Sequence, residues 1–249
     1  MKKYELEICV DSVESALAAR KGGATRLELC SNLVIGGTTP SPLLFQEIRK
    51  YTDIRIHVLI RPRFGDFCYN AYEKSQILGE VEQFRKLGAE GIVIGALNTD
   101  GTIDTAYMKE LIQAAGSMHV TMHRAFDMCM DLPAALEALK QLGIATILTS
   151  GGANNCIDGM ATLRTLHERA EGQIDIMAGA GVSAENVKLL HDSTGICSYH
   201  MSGKKMTDSP MLYRNSSVNM GLPGINEYQI IQTDYSNVKA AAEILRSIP

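Results

Sequence analysis

The chain has 249 residues, of which 45% are apolar and 21% are charged, and its formal net charge is −4. This length suits one domain with a substantial core, and the composition is that of an ordinary globular protein. Charges of both signs are interspersed along the chain. The sequence therefore lacks the basic patch of a protein that binds nucleic acid or an anionic membrane.

The N-terminal segment and the cysteines predict a cytoplasmic protein. Residues 1–7 lack the apolar run of a signal peptide, and no segment reaches the roughly 18 uninterrupted apolar residues of a membrane span. The six cysteines are scattered and include no CxxC pair. We therefore expect free thiols in a reducing compartment, not a disulfide framework.

Short apolar runs alternate with amphipathic helical patterns along the chain. The predicted strands are residues 4–10, 25–30, 54–61, 91–96, 118–124, 145–150, 174–178 and 196–201. The predicted helices are residues 12–22, 41–50, 73–88, 104–115, 131–142, 157–171, 183–192 and 236–247. This alternation requires parallel strands joined by crossover helices. Eight such units predict one (β/α)8 TIM barrel over residues 1–249, with a doubly wound open sheet as the alternative.

Repeated glycines at the helix-to-strand junctions support the barrel. They occur in Lys21-Gly22-Gly23-Ala24, Leu87-Gly88-Ala89-Glu90 and Leu142-Gly143-Ile144-Ala145. Glycine readily adopts the left-handed backbone conformation that often ends a helix before the next strand. The one long insertion, residues 203–234, lies between strand eight and the last helix and is predicted as a loop. Such a loop is functional, contacts a neighbouring subunit, or is a surface excursion without a role.

Side-chain alternation along the strands directs a set of polar residues to the barrel axis. In strand one, Leu6, Ile8 and Val10 face the helices, which turns Glu7 and Cys9 inward. The inward residues of strands two, three and five include Arg26, Glu28, Cys30, His57, Arg61, Thr121 and His123. The carboxyl ends of the strands, where barrel enzymes build their sites, thus carry Glu7, Glu28, Arg61 and His123. A layer of structural ion pairs is the alternative, because buried carboxylates need partners whatever their role.

Two glycine-rich turns at the same end of the barrel predict an anion-binding site. They follow strands six and seven as Thr149-Ser150-Gly151-Gly152 and Ala178-Gly179-Ala180-Gly181. Successive backbone N–H groups in such turns bind anions, and strand eight adds His200 and the Ser202 hydroxyl. Glycine is also common in any tight turn, so a purely structural role stays open.

The loop after strand three mixes arginines, aromatic residues and a glycine in Arg61-Pro62-Arg63-Phe64-Gly65-Asp66-Phe67-Cys68-Tyr69. Guanidinium groups bind carboxylates and phosphates through two parallel hydrogen bonds. Arg61 and Arg63, with Asp66 beside them, are therefore candidates for holding an anionic ligand at the barrel mouth. An exposed loop with a structural role is the alternative.

These segments together resemble the copper homeostasis protein CutC family along most of the chain. The resemblance rests on Leu6-Glu7-Ile8-Cys9-Val10-Asp11-Ser12, Arg26-Leu27-Glu28-Leu29-Cys30, Gly36-Gly37-Thr38-Thr39-Pro40-Ser41, Ile60-Arg61-Pro62-Arg63-Phe64-Gly65-Asp66-Phe67, Gly91-Ile92-Val93-Ile94-Gly95-Ala96-Leu97, His123-Arg124-Ala125-Phe126-Asp127 and Leu148-Thr149-Ser150-Gly151-Gly152. It implies a TIM barrel, a cytoplasmic location, frequent homo-oligomers and copper handling through cysteine thiols. The fifth-strand motif adds Arg124 and Asp127 to the ligand-binding candidates.

The first functional hypothesis is a Cu(I)-binding protein, because Cu(I) prefers thiolate and thioether ligands. Cys9 and Cys30 are predicted at equivalent depths on adjacent strands. Because neighbouring strands lie about 4.8 Å apart, the two thiolates could share one ion. Met128-Cys129-Met130 offers further soft donors. Against this hypothesis, buried cysteine serves more often as a small hydrophobic residue.

The second hypothesis is an isomerase or lyase that acts on a small phosphorylated or carboxylated metabolite. Glu7 or Glu28 is then the general base and His123 the general acid, while Arg61 and Arg63 bind the anion. No Lys falls on a predicted strand, which argues against a Schiff-base aldolase. A divalent ion held by Glu7, Glu28 and His123 lacks a diagnostic spacing. The third reading is an interaction scaffold without chemistry.

Overall fold

The computed structural model describes residues 4–215, 217–221, 224 and 226–248. Within these ranges, eight parallel strands close into a barrel in chain order, which confirms the predicted TIM barrel and excludes the open sheet. The strands are Glu5–Val10 (β1), Arg26–Leu29 (β2), Arg55–Leu59 (β3), Gly91–Ile94 (β4), His119–Met122 (β5), Thr146–Thr149 (β6), Asp175–Ala178 (β7) and Ser198–Met201 (β8).

Helices surround the barrel, and signals in the sequence define their ends. They are Val13–Gly22 (α1), Pro42–Arg49 (α2), Ala71–Lys86 (α3), Thr105–Ala115 (α4), Leu132–Gln141 (α5), Met160–Ala170 (α6), Val187–Thr194 (α7) and Tyr235–Ser247 (α8). Asn70 and Glu73 form a capping box at the start of α3. Gly23 ends α1 with a left-handed φ of 103°, as the junction pattern predicts. Among the helices of the described ranges, none combines the length and apolarity needed to cross a membrane.

Two apolar regions, one outside the barrel sheet and one inside it, follow from the alternation along the strands. The main core includes the outward residues Leu6, Ile8, Val10, Leu27, Leu29, Ile56, Val58 and Ile60, packed against the helices. Removing such side chains from water stabilises the fold by about 1.5–3 kcal/mol each. Inside the barrel, a smaller buried cluster consists of Cys9, Cys30, Leu59 and Val93. The predicted faces of β1, β2 and β3 are therefore confirmed.

The insertion at residues 203–234 differs from the predicted loop, because its ends pair as an antiparallel ribbon. The ribbon consists of Lys204–Asp208 (β9) and Gln229–Thr233 (β10), and it lies outside the barrel sheet. The Thr233 amide donates to the Ser15 hydroxyl at 3.1 Å, which ties the ribbon to α1. Most of the ribbon is exposed on both faces, so its sequence carries no alternation from which a strand could be predicted.

Candidate functional site at the carboxyl end of the barrel

The carboxyl ends of the strands open into a cavity of about 590 Å³. Of the predicted site residues, those that line it are Cys9, Glu28, Arg61, His123, Arg124, Asp127, Gly181, His200 and Ser202. The predicted residues outside this lining are Glu7, Cys30, Arg63, Asp66, Ser150, Gly151, Gly152 and Gly179. Met128 also lines the cavity, so one residue of the predicted soft-donor segment reaches it.

A buried charge network centred on Glu7 joins three neighbouring strands. Glu7 is fully buried, and its Cα pairs in register with Arg26 on β2 and His200 on β8. Arg26 Nε donates to one carboxylate oxygen at 2.5 Å, and His200 Nδ1 lies 2.8 Å from the other. Burial alone raises the pKa of Glu7, but Arg26 and His200 outweigh it and hold that pKa well below its usual range.

Glu28 and His200 form a second pair, on the cavity wall. His200 Nε2 lies 3.9 Å from the Glu28 carboxylate. Burial raises the pKa of Glu28. Burial opposes a charge on His200, but Glu28, Cys9 and Glu7 together raise the His200 pKa well above its usual value. Glu28 is negatively charged when deprotonated, and His200 is positively charged when protonated. Because the pKa of each group is raised, the pair can hold and release a proton, as general acid–base catalysis requires.

Glu7, Glu28 and His200 each place one potential ligand atom within 4.8 Å of the others. The divalent-ion set predicted from the sequence is Glu7, Glu28 and His123. The structure brings His200, and not His123, together with the two carboxylates. Both oxygens of Glu7 already have partners in Arg26 and His200. The trio is therefore satisfied as a charge network without an ion.

The thiols of Cys9 and Cys30 lie in one buried cluster, but at different heights. In the β1–β2 register, Cys9 pairs with Glu28, so Cys30 stands two residues further along its strand. The prediction of equal depth is wrong, because strand stagger in a barrel is not fixed by the sequence of each strand alone. Cys9 lines the cavity, whereas Cys30 lies behind the wall and is fully buried.

The Cys30 thiol is protonated in the ligand-free protein. Burial, with the nearby Glu28 and Cys9, raises the pKa of Cys30 well above its ordinary value. Its Sγ donates to a Glu28 carboxylate oxygen at 3.2 Å. A metal ion that binds this sulfur must displace that proton, and Glu28 is the adjacent acceptor.

Arg61 is buried, with 8% of its surface exposed, and no carboxylate among the described residues forms an ion pair with it. Its Nη1 donates to the carbonyls of Gly36 and Gly37 at 3.3 and 3.1 Å, and its Nη2 donates to Gly65 at 3.0 Å. Its Nε has no hydrogen-bond partner. The terminal nitrogens thus fix the orientation of the guanidinium group, while Nε stays available as a donor.

His123 is buried to a similar degree, with 5% exposed, and has a second unpaired nitrogen. Its Nδ1 accepts from the Ala125 amide at 3.2 Å, so the ring hydrogen resides on Nε2, which has no partner. Burial and the Arg61 charge lower the pKa of His123 to about 3. The ring is therefore neutral near pH 7 and acts as an N–H donor.

Phe67 connects these two donors. Its ring centroid lies 5.0 Å from Arg61 Cζ and 4.9 Å from the His123 ring centroid. Arg63, from the same loop, is instead paired with Glu73 at 2.5 Å and with Asp66 at 3.1 Å. Of the two arginines predicted to hold an anion, the structure thus brings Arg61 to the cavity and directs Arg63 to the surface.

The glycine-rich turn after β6 surrounds an internal carboxylate. Asp127 accepts hydrogen bonds from the amides of Ser150 and Gly152 at 3.1 and 3.0 Å. Arg124 Nε completes the group with an ion pair to Asp127 at 2.8 Å. Two of the backbone donors in the turn after β6 are therefore already occupied by a side chain of this chain.

Sequence reasoning missed two functional partners. The alternation predicts that Arg26 faces inward but does not identify it as the partner of Glu7; the available signal is an inward arginine beside inward carboxylates. Phe67 is predicted only as part of an aromatic loop. No local pattern identifies it as the ring that contacts both Arg61 and His123.

Comparison with known proteins assigns the chain to a family. The sequence model of the CutC family matches residues 4–205. A family protein CutC from Bacteroides fragilis is 43% identical over 249 residues, which cover 99% of both chains. A Homo sapiens protein named copper homeostasis protein cutC homolog is 41% identical and covers 98% of this chain and 90% of its own. The crystal structure of a CutC protein from Streptococcus agalactiae superimposes with a TM-score of 0.76 at 31% identity, covering 80% of this chain and 99% of that one.

Proposed function

This chain belongs to the CutC family, and we propose that it handles copper by binding Cu(I) through the thiols of Cys9 and Cys30. The observation that carries the proposal is the placement of both sulfurs in one buried cluster beside the barrel cavity. The name of the human relative, a copper homeostasis protein, supports the same function. In this proposal Cu(I) is the cargo of the protein.

The surroundings of the two sulfurs suit Cu(I). Cu(I) is a soft ion that prefers sulfur ligands over oxygen and nitrogen. Cys9 on the cavity wall provides the entry point, and Cys30 behind it supplies the second sulfur. Glu28 accepts the Cys30 hydrogen at 3.2 Å and is positioned to take that proton when copper replaces it.

The test is a titration of the reduced, anaerobic chain with Cu(I) in competition with a colorimetric chelator. The comparison is between the wild-type chain, the Cys9→Ser/Cys30→Ser double variant and Cys197→Ser as a matched single-thiol control. Cys197 precedes β8, and its Sγ donates to the Gly195 carbonyl at 3.6 Å. We expect tight binding that the double variant loses and the control keeps. Weak binding, or equal binding in all three proteins, contradicts the two-thiol site.

A second candidate function is favoured by a different observation, the pair Glu28–His200 on a cavity that also contains unpaired donors. We propose for it an isomerase or lyase reaction on a small phosphorylated or carboxylated metabolite. Glu28 is then the base, with His200 as its proton partner. Metabolite screening of the wild-type chain beside Glu28→Gln tests this candidate. Turnover that persists in Glu28→Gln contradicts it.

We further propose that the protein is a cytoplasmic homo-oligomer in which residues 203–234 contact a second copy. The described part of this segment exposes large apolar side chains, including Met206, Leu212, Tyr213 and Met220. Exposed apolar patches of this kind commonly mark protein interfaces. Light scattering of the wild-type chain and of a Leu212→Ser/Tyr213→Ser variant tests the contact. A monomeric wild-type chain contradicts it.

A further inference from the structure

The buried charged side chains around the cavity are paired with opposite charges, except for Arg61. Arg124 pairs with Asp127 at 2.8 Å. Arg26, Glu7, His200 and Glu28 form one connected network of basic and acidic side chains. Arg61, by contrast, donates to backbone carbonyls and lies over the Phe67 ring, and no carboxylate among the described residues pairs with it. A buried charge without a counter-charge is costly, so the cavity has an unmet preference for an anion.

Two unmet hydrogen-bond donors coincide with this excess positive charge. Arg61 Nε and His123 Nε2 are buried, lack partners and belong to residues that line the cavity. Both residues contact the ring of Phe67, which also lines the cavity, so the two donors are neighbours. A buried donor without a partner destabilises the protein, and an acceptor oxygen of a ligand would offset that cost.

We propose that this cavity binds a small oxyanion, a carboxylate or a phosphate, whose oxygens accept hydrogen bonds from Arg61 Nε and His123 Nε2. Both groups are donors, which selects an acceptor oxygen and excludes a metal cation or an ammonium group at this position. The cavity of about 590 Å³ limits the ligand to metabolite size. Glu28 and His200 line the same cavity.

This inference rests on the catalytic candidate and deepens it by naming the two donors that hold its anionic group, and it is independent of copper. It also changes the expected mode of recognition. The sequence suggests a guanidinium fork that grips an anion with its two terminal nitrogens. In the structure those nitrogens hold the 36–37 turn and Gly65, and the inner nitrogen is the one left for the ligand.

The test is ligand binding by NMR, on the full copper-free chain labelled with ¹⁵N in its histidine rings and backbone. Inorganic phosphate and malonate are titrated separately, and the His123 ring nitrogens report contact. The variants are Arg61→Lys, which keeps the charge without Nε, and His123→Phe, which keeps an aromatic ring without the donor. Arg164→Met is the matched control, because Arg164 on α6 bonds the Ser193 carbonyl through its own Nε, away from the cavity.

We expect a saturable shift of the His123 signals with at least one probe, and about a tenfold or greater loss of affinity in each cavity variant. In His123→Phe, amide signals of the cavity wall supply the binding curve. The Arg164→Met control retains wild-type affinity. A response to malonate alone identifies a carboxylate ligand, and a response to phosphate alone identifies a phosphate. Absence of any shift with both probes, or affinity unchanged in both cavity variants, overturns the site. Neither result bears on copper binding, and turnover is not needed for the measurement.

Discussion

The Sγ atom of Cys30 lies 3.2 Å from a carboxylate oxygen of Glu28, and the thiol donates to the carboxylate. Both side chains are buried, and burial raises the pKa of each. A proton is thus retained between a soft metal ligand and a base that faces the cavity. This contact links the two proposed functions, because occupation of the thiol by copper changes the proton partner of Glu28.

Copper affinity is expected to depend on pH through Cys30. Its pKa is raised well above the ordinary value, so the thiol is protonated at neutral pH and Cu(I) must displace a proton. Affinity therefore rises with pH, by about tenfold per pH unit for each proton released. Competition with a chelator at several pH values between 6 and 8, corrected for the chelator's own titration, measures this. A flat pH profile would show that no protonated thiol takes part.

Breaking the buried charge network should destabilise the barrel. Glu7→Gln leaves Arg26, only 3% exposed, with Glu5 at 3.5 Å as its remaining carboxylate. Removing one partner of a buried pair costs about 3–5 kcal/mol, and urea unfolding measures the loss. The exposed pair of Glu47 with Lys50 provides the control, since Glu47→Gln should leave the unfolding midpoint unchanged. Equal midpoints for both variants would contradict a structural role for Glu7.

Acid should destabilise the fold through His123. In the folded chain its pKa is lowered from 6.5 to about 3, first by burial and then by Arg61. Above pH 6.5 the ring is neutral in both states and has no effect. As the pH falls from 6.5 towards 3, the unfolded state binds a proton that the folded state refuses, and stability drops by about 1.4 kcal/mol per pH unit.

The His123→Gln variant isolates this effect, since His57, with a pKa lowered to about 3, contributes a similar loss in both chains. Urea unfolding at pH 7, 6 and 5 should give a shallower loss of stability for His123→Gln than for the wild-type chain. Parallel slopes for the two chains would show that His123 titrates normally in the folded state.

Gly95 provides the space that the His123 ring occupies. A Cβ at this position would lie 2.6 Å from His123 Cε1 and 2.9 Å from Met122 Sδ. Gly95→Ala should therefore displace the ring, lower the free energy of unfolding by about 1–3 kcal/mol and shift the His123 NMR signals. Gly79 in α3 has no atom within 4 Å of a built Cβ, so Gly79→Ala should stabilise by about 0.5–1 kcal/mol. The same sign of change for both variants would contradict this role of Gly95.

The sequence predicts the barrel and most of its polar positions because both follow from local periodicity. Alternation along β1 alone turns Glu7 and Cys9 inward, and both predictions are confirmed by burial and register. Contacts between distant segments carry no such local signal. Glu7 and His200 are 193 residues apart, and their pairing arises only when β8 closes the barrel against β1.

Two further details of the site depend on three-dimensional packing. The relative height of Cys9 and Cys30 is set by strand stagger, which no single strand encodes. The occupation of the glycine-rich turn by Asp127 depends on the loop after β5 reaching the end of β6. In both cases the residue types are correctly identified from the sequence, and their partners are determined by the closed barrel.

X-ray absorption at the copper edge of the anaerobically loaded chain tests Cu(I) binding at Cys9 and Cys30 most directly, because it reports the elements bound to the metal. The predicted result is a Cu(I) spectrum with sulfur ligands in the wild-type chain that disappears in Cys9→Ser/Cys30→Ser and persists in Cys197→Ser. A spectrum dominated by nitrogen and oxygen ligands, or one identical in all three chains, would contradict copper binding at these two thiols.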